Sequence, residues 1–435
     1  MFGSPLLTLV RSKLERCLRP HRFHVVALAL LVAAGCGGQA PTAPVGRPAQ
    51  SSLASPLAAA SGAVHVEGRI GPGALFALDK PADWNGDLVI YLHGYSNPAS
   101  PVALPDNGAI RTRLLGAGFA VAASSYSQNG YAVPEAMRQS HQLRGLFVSR
   151  VGAPRRTFLF GVSLGGIVGM LLAEKYPQTY AGAFLASGVV GGTRAEVQYV
   201  GDTKVLFDQL YPTVHLGGLL TPIAIHDLNA DVVGPVVGAV QASPNGLGIL
   251  NLVTRHPLAG NNGQELVTTL LTALVFQMQG AEDLVDNTHG HAFYDNADHT
   301  YAGPLPASIT GPINAGVARF TETADAGAWL DHYGEPSGEL RIPVLTVHNT
   351  RDPVVPFFHE ALLANAVAAR GLGENLVQRS KDSYGHVAFA PDELLANFLD
   401  LVRWVDTGVR PAPQSAPSLA DSPGDPGVHE HRGAR

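Results

Sequence analysis

The sequence predicts an α/β protein, with a mostly parallel central sheet, helices on both faces and one large insertion. Three observations predict it. Short apolar runs recur along the chain without polar alternation, the pattern of strands buried on both faces. Helical segments separate those runs, as a parallel sheet requires. The alternation then lapses over residues 190–340 and resumes afterwards.

Val64–Ile70 and Ala74–Leu78 read as an antiparallel pair of strands around the turn Gly71-Pro72-Gly73. Leu88–Leu92 is a buried-strand run that ends in His93-Gly94-Tyr95. Ala109–Leu115 reads as a helix and Phe119–Ser124 as a strand. Pro134–Val151 is amphipathic, with Met137, Leu143, Leu146 and Phe147 on one face. Arg156–Val162 is a strand, and Leu164–Tyr176 an apolar helix stopped by Pro177. Tyr180–Ala186 is the sixth strand. Beyond the insertion come a strand at Pro343–His348, a helix at Pro356–Arg370, a strand at Asn375–Arg379 and an amphipathic helix at Asp392–Val405.

Composition excludes several classes. The 435 residues are 46% apolar and only 15% charged, so a large core is available. The net charge of -6, without a basic run past residue 22, argues against a nucleic-acid partner. The two cysteines, Cys17 and Cys36, precede the folded body, which excludes a disulfide framework or a cysteine-ligated zinc there.

Residues 1–35 have the layout of an export signal. Arg11, Lys13, Arg16, Arg19 and Arg22 precede the apolar run Val25–Ala34, which is too short to span a bilayer. Ala33-Ala34-Gly35-Cys36 resembles the lipobox of bacterial lipoproteins, with Ala33 where that family prefers Leu. The resemblance implies cleavage before Cys36, acylation of its thiol, and a place in the bacterial cell envelope or a secreted one. Residues 36–62 are rich in Pro, Ala and Ser and read as a tether; residues 410–435 read as a disordered tail.

The candidate chemistry centres on Gly161-Val162-Ser163-Leu164-Gly165. Gly-x-Ser-x-Gly alone is a weak signal in a chain with 49 glycines. Here, however, a strand precedes Ser163 and a helix follows it, which is the setting of a nucleophile elbow. Gly161 and Gly165 are expected because a side chain at either would strike neighbouring backbone, and Gly166 because the helix passes close to a strand. A serine hydroxyl needs a base, and the base a carboxylate. His386 lies in the loop between the last strand and the last helix; His348 and His359 fit less well, within a strand and on a helix. Asp352 follows the preceding strand and is the favoured acid, with Asp382 the alternative. The backbone N–H groups of Leu164 and Tyr95 are the candidate oxyanion donors. His93 is either part of that loop's chemistry or a structural loop histidine.

The order Ser163, Asp352, His386, with His93-Gly94 and the Gly161–Gly165 elbow, resembles the α/β-hydrolase superfamily over residues 64–190 and 340–408. Segments such as DWNGDLVIYLHGY and IPVLTVHNTRDPVVP are similar to bacterial secreted or lipoprotein hydrolases, including a prolyl-oligopeptidase-like group. The resemblance implies an α/β-hydrolase core at 63–189 and 341–409, ester or amide hydrolysis, and no cofactor.

Residues 190–340 then correspond to a cap. Apolar stretches at Leu216–Ile225, Val232–Val240, Leu247–Val253 and Leu266–Met278 are expected to fold over the site as helices or loops, which suits a hydrophobic ester, lipid-like or polyester. The run Asp286-Asn287-Thr288-His289-Gly290-His291, with Asp295, Asp298 and His299, has metal-ligand residue types, but its spacing fits no metal family and it reads as a polar loop. A prolyl-oligopeptidase-like peptidase is the second reading, weakened by the lack of β-propeller repeats. A non-catalytic binding lipoprotein is the third, and would be signalled by a missing triad member.

Overall fold

The computed structural model describes residues 62–413. The export segment, Cys36, the tether up to residue 61 and the tail from residue 414 lie outside the described residues.

Eight strands form one sheet in the order β1-β2-β4-β3-β5-β6-β7-β8. They are β1 (Val64–Ile70), β2 (Ala74–Lys80), β3 (Asp87–Leu92), β4 (Ala120–Ser124), β5 (Arg156–Val162), β6 (Gly182–Ala186), β7 (Val344–Arg351) and β8 (Leu376–Tyr384). β2 runs antiparallel to both β1 and β4, and the other pairings are parallel. This is the mostly parallel sheet that the apolar runs predict.

The strands are apolar on both faces because each face carries its own core. Along β3, Leu88, Ile90 and Leu92 enter one core, while Val89 and Tyr91 enter the other. This is the two-residue period of a strand, with neither side left to water. Helices α1 (Gly108–Gly116) and α11 (Pro391–Thr407) cover the second face. Phe398 of α11 sits at its centre, with ring centroids 5.2 Å from Phe119 and 5.7 Å from both Phe158 and Phe160. The first face is covered by α2 (Val133–Arg150), α3 (Leu164–Lys175) and α10 (Phe358–Ala369).

Between β6 and β7 lies the insertion, with helices α4 (Thr193–Leu210), α5 (Gly234–Ala242), α6 (Pro244–Val253), α7 (Gly263–Asn287), α8 (Ala307–Gly316) and α9 (Ala324–Tyr333). Its apolar residues join the first-face core, including Leu206, Leu250, Leu270 and Leu274. Of the apolar stretches expected as helices or loops, Leu216–Ile225 is a loop that turns back on itself through a bridge between Gly217 and Pro222. Two local expectations, the end of β8 and the start of the insertion, differ from the structure. β8 extends to Tyr384 rather than stopping at Arg379. The α4 helix was not expected, because its buried side includes Asp202, Thr203 and Lys204.

The polar run after α7 builds loop structure. Asp295 accepts from the backbone N–H groups of Glu322 (2.9 Å) and Ala297 (3.2 Å), and Asn296 spans to Phe320 and Ala318. Among the described residues no group of three or more His, Cys, Asp or Glu is arranged to hold a metal ion.

Candidate active site

Ser163 stands between β5 and α3 with φ 55° and ψ -124°, a conformation that non-glycine residues rarely adopt. Its side chain lines a cavity at this end of the sheet. The turn is affordable only because its flanks are glycine. A Cβ on Gly161 would lie 2.3 Å from the carbonyl oxygen of Gly165, and a Cβ on Gly165 would lie 2.0 Å from that of Leu92. Both are far inside contact distance, as the sequence led one to expect. Gly166 packs against Gly188 at the end of β6, where a Cβ would meet Gly188 Cα at 2.4 Å.

Asp352 and His386 come together at the carboxyl ends of β7 and β8. His386 Nδ1 lies 2.8 Å and 3.0 Å from the two carboxylate oxygens of Asp352. Asp352 is fully buried, and its Oδ1 also accepts from the N–H groups of Val354 (2.9 Å) and Val355 (3.0 Å). Those bonds fix the carboxylate beneath the ring. His386 Nε2 is buried and has no hydrogen-bond partner, so the bond between Ser163 and this ring is not formed in this structure. Such bonds commonly tighten only when substrate is bound.

The alternatives are held elsewhere. Asp382 is exposed and pairs with Arg351 and Thr350, away from the imidazole. His348 is buried between Glu360, 3.0 Å from its Nδ1, and the carbonyl of Val355, 2.8 Å from its Nε2. His359 is buried with one nitrogen accepting from the N–H of Gly191 (3.1 Å) and the other 2.9 Å from Glu196.

The β3 loop reaches Ser163 through Gly94, where a Cβ would lie 3.0 Å from Ser163 Cβ and 3.3 Å from its Oγ. Tyr95 follows at once, and Leu164 opens α3, where a first-turn N–H has no partner within its own helix. His93 is a structural loop histidine. It is buried, stacks on Tyr126 with centroids 3.8 Å apart, and lies 2.7 Å from the carbonyl of Gly94. Burial lowers its pKa to about 4, so the ring is neutral at physiological pH.

Ser163, Leu164 and Tyr95 line one predominantly apolar cavity roofed by the insertion, with Leu219 and with Phe276 and Leu284 of α7. The roof is tied to the loop below it: the Tyr95 hydroxyl donates to Asp283 of α7 (2.7 Å), which also accepts from the N–H of Tyr131 (3.1 Å).

Sequence reasoning missed three residues. Asn349, fully buried at the end of β7, accepts from the N–H of Ala388 (2.9 Å) and donates to Ser383 (2.7 Å), so it clamps both sides of the His386 loop. Glu196 and Gln277 line the cavity from α4 and α7. A lone polar residue inside a helix or a strand carries no local motif, so none of the three had a signal to find.

No family model and no curated protein sequence matches the chain. Solved structures do resemble it in outline. Feruloyl esterase B from Aspergillus oryzae is 15% identical with a TM-score of 0.46, covering 80% of this chain and 82% of that one. A putative lipase from Acinetobacter baumannii is 15% identical with a TM-score of 0.39, covering 80% and 94%. A thermostable carboxyl esterase from Bacillus coagulans is 13% identical with a TM-score of 0.38, covering 79% and 97%. By its own strand order, with an elbow after β5, an acid after β7, a histidine after β8 and a cap between β6 and β7, the chain has the α/β-hydrolase fold.

Proposed function

We propose that the protein is a serine hydrolase that cleaves carboxylic esters with a hydrophobic portion. The observation that carries this reading is the strained Ser163 lining an apolar cavity, with His386 paired to the buried Asp352 at the same end of the sheet. In the reading, Ser163 Oγ attacks the ester carbonyl while His386 Nε2 takes its proton. Asp352 keeps Nδ1 protonated and stabilises the imidazolium. The N–H groups of Leu164 and Tyr95 receive the developing oxyanion. The imidazolium returns its proton to the departing alcohol, and a water activated by the same ring releases the acid. The apolar wall favours hydrocarbon over charged groups through buried area.

Active-site labelling tests this. A fluorophosphonate probe labels the wild-type protein and not Ser163→Ala, and the wild type turns over p-nitrophenyl esters faster than matched amides. Equal labelling of the two proteins would remove Ser163 from the chemistry. Faster turnover of Pro-containing amides would make the protein a peptidase instead.

A further inference from the structure

The cavity is apolar except where two polar side chains in its wall are left incompletely satisfied. Most of its other polar groups are already engaged: Tyr95 with Asp283, Tyr131 with Thr193, and Tyr294 with Asp202 (2.5 Å). Glu196 is different. His359 Nδ1 accepts from a backbone N–H, which fixes the proton on Nε2, and Nε2 therefore donates to Glu196 Oε2. The second carboxyl oxygen of Glu196 has no such partner, and the side chain keeps 18% of its exposure.

Gln277, on the facing helix α7, is the complement. Its Nε2 donates to the carbonyl of Leu219 (2.7 Å), which fixes the orientation of the amide. Its Oε1 is buried with no hydrogen-bond partner, on a residue that is 3% exposed. A buried acceptor of this kind is costly to leave unmade unless a ligand supplies the donor.

From this geometry we propose that Glu196 and Gln277 are specificity-determining residues that read a hydroxyl group on the cavity-bound portion of the substrate, so that the preferred substrates are hydroxyacyl esters. The proposal rests on the esterase reading above and deepens it. A hydroxyl both donates and accepts, which matches an amide oxygen on one wall and a carboxylic acid on the other. A plain hydrocarbon chain leaves both groups unsatisfied, and sites built to bond a hydroxyl discriminate against analogues that lack one.

Glu196 has the protonation state this needs. Burial, then the charge of Asp352, raises its pKa to about 8, against the opposing pull of His386 and His348. The other titratable groups packed around it are Tyr199 on its own helix, Tyr131 across the cavity and His359, which burial and the His348 charge lower to about 3. Near neutral pH the carboxyl is therefore mostly an acid whose O–H is free to donate, and it loses that proton as pH rises through about 8.

The test compares kcat/KM for methyl hexanoate, methyl 3-hydroxyhexanoate and methyl 6-hydroxyhexanoate, with the acid product quantified by chromatography. At pH 6.5 the wild type prefers at least one hydroxy ester over the plain ester by about tenfold, the scale of one or two recovered hydrogen bonds. Glu196→Leu and Gln277→Leu bring that ratio towards one. Glu196→Gln keeps a donor and an acceptor and keeps the ratio. Between pH 6.5 and 9 the wild-type ratio falls while that of Glu196→Gln stays level, a readout that damage to folding does not imitate. A wild-type ratio of one or below overturns the proposal, as does a ratio that survives both leucine variants or a pH response shared by Glu196→Gln. If the wild type cleaves none of the three esters, the esterase reading itself fails; if it cleaves them without preference, only this inference does.

Discussion

A single residue, Asn349, braces the loop that carries His386. Asn349 Oδ1 accepts from Ala388 and from Ser187 Oγ (3.2 Å), while Ser187 Oγ in turn accepts from the N–H of Val387 (3.3 Å). Val387 sits at φ 49°, unusual for a β-branched residue, so the loop is held against its own preference. Asn349→Ala removes this clamp and leaves Ala388 and Ser383 without partners. We expect kcat to drop about 10- to 100-fold, the scale of losing geometric alignment, with KM changed little. Fluorophosphonate labelling slows in parallel, whereas a purely structural effect would lower the active fraction and leave the rate of that fraction intact. The placement of Ser163 after β5, and of Asp352 beside His386 after β7 and β8, was legible in the sequence because chain order and the expected chemistry constrain them together. Asn349 was not, because its contacts are with residues 34, 39 and 162 positions away.

Among the elements, α7 joins roof to floor. Its apolar run, Leu266–Met278, was legible, but the helix continues to Asn287 through a polar stretch whose purpose is Asp283. The close approach there requires Gly130, where a Cβ would lie 2.3 Å from the Asp283 carboxylate. Burial raises Asp283 to about 6, against the pull of the Tyr95 and Tyr131 donors. A carboxyl raised on folding contributes stability that is complete below its unfolded pKa, near 4, and is lost as pH rises through about 6. Asp283→Asn, neutral at every pH and still able to accept from Tyr95, should therefore melt higher than wild type at pH 8 and match it near pH 4. Asp283→Ala frees Tyr95 and, on the proposed mechanism, should lower kcat/KM about tenfold by loosening the loop that carries the proposed oxyanion donor. Thermal melts at the two pH values check the first expectation, and a melting gain that is the same at both would contradict the assigned pKa. β8 shows the converse limit of pattern reading: it is the sheet's last strand, paired only with β7, so its outer half (RSKDSY) is polar and carries no apolar signal.

Across the whole molecule, the site and the charge cluster around the buried Asp87 occupy opposite ends of the sheet. Asp87 begins β3 and faces Arg156 in register at the start of β5, while Ser163 follows the end of β5. The Asp87 carboxylate, 1% exposed, accepts from Arg155 (3.0 Å) and Arg156 (2.6 Å), and Arg156 also bonds Asp406 of α11. The cluster therefore ties two central strands to the final helix far from the reacting atoms. Burial alone would raise the pKa of Asp87, but the hydrogen bonds of Arg156 and Arg155 outweigh it and hold the carboxyl below its ordinary value. The sign follows from linkage: a depressed carboxyl contributes stability above its unfolded pKa, near 4, and that contribution is lost as pH falls through the lower folded value. Asp87→Asn leaves Arg155 without its counter-charge and Arg156 with that of Asp406 alone. Breaking a buried pair costs roughly 3–5 kcal/mol, and the exposure of Arg155, 61%, places the expected loss nearer 2 kcal/mol at pH 7. Urea unfolding at pH 7 and at pH 3 measures it. The difference from wild type should be large at pH 7 and shrink towards pH 3, below the unfolded pKa, where the unfolded chain takes up a proton that the folded carboxyl resists. Ester turnover per folded molecule should be unchanged, because the cluster holds the sheet together without touching the end where the chemistry is placed; a fall in that turnover would mean that the two ends are coupled through β5.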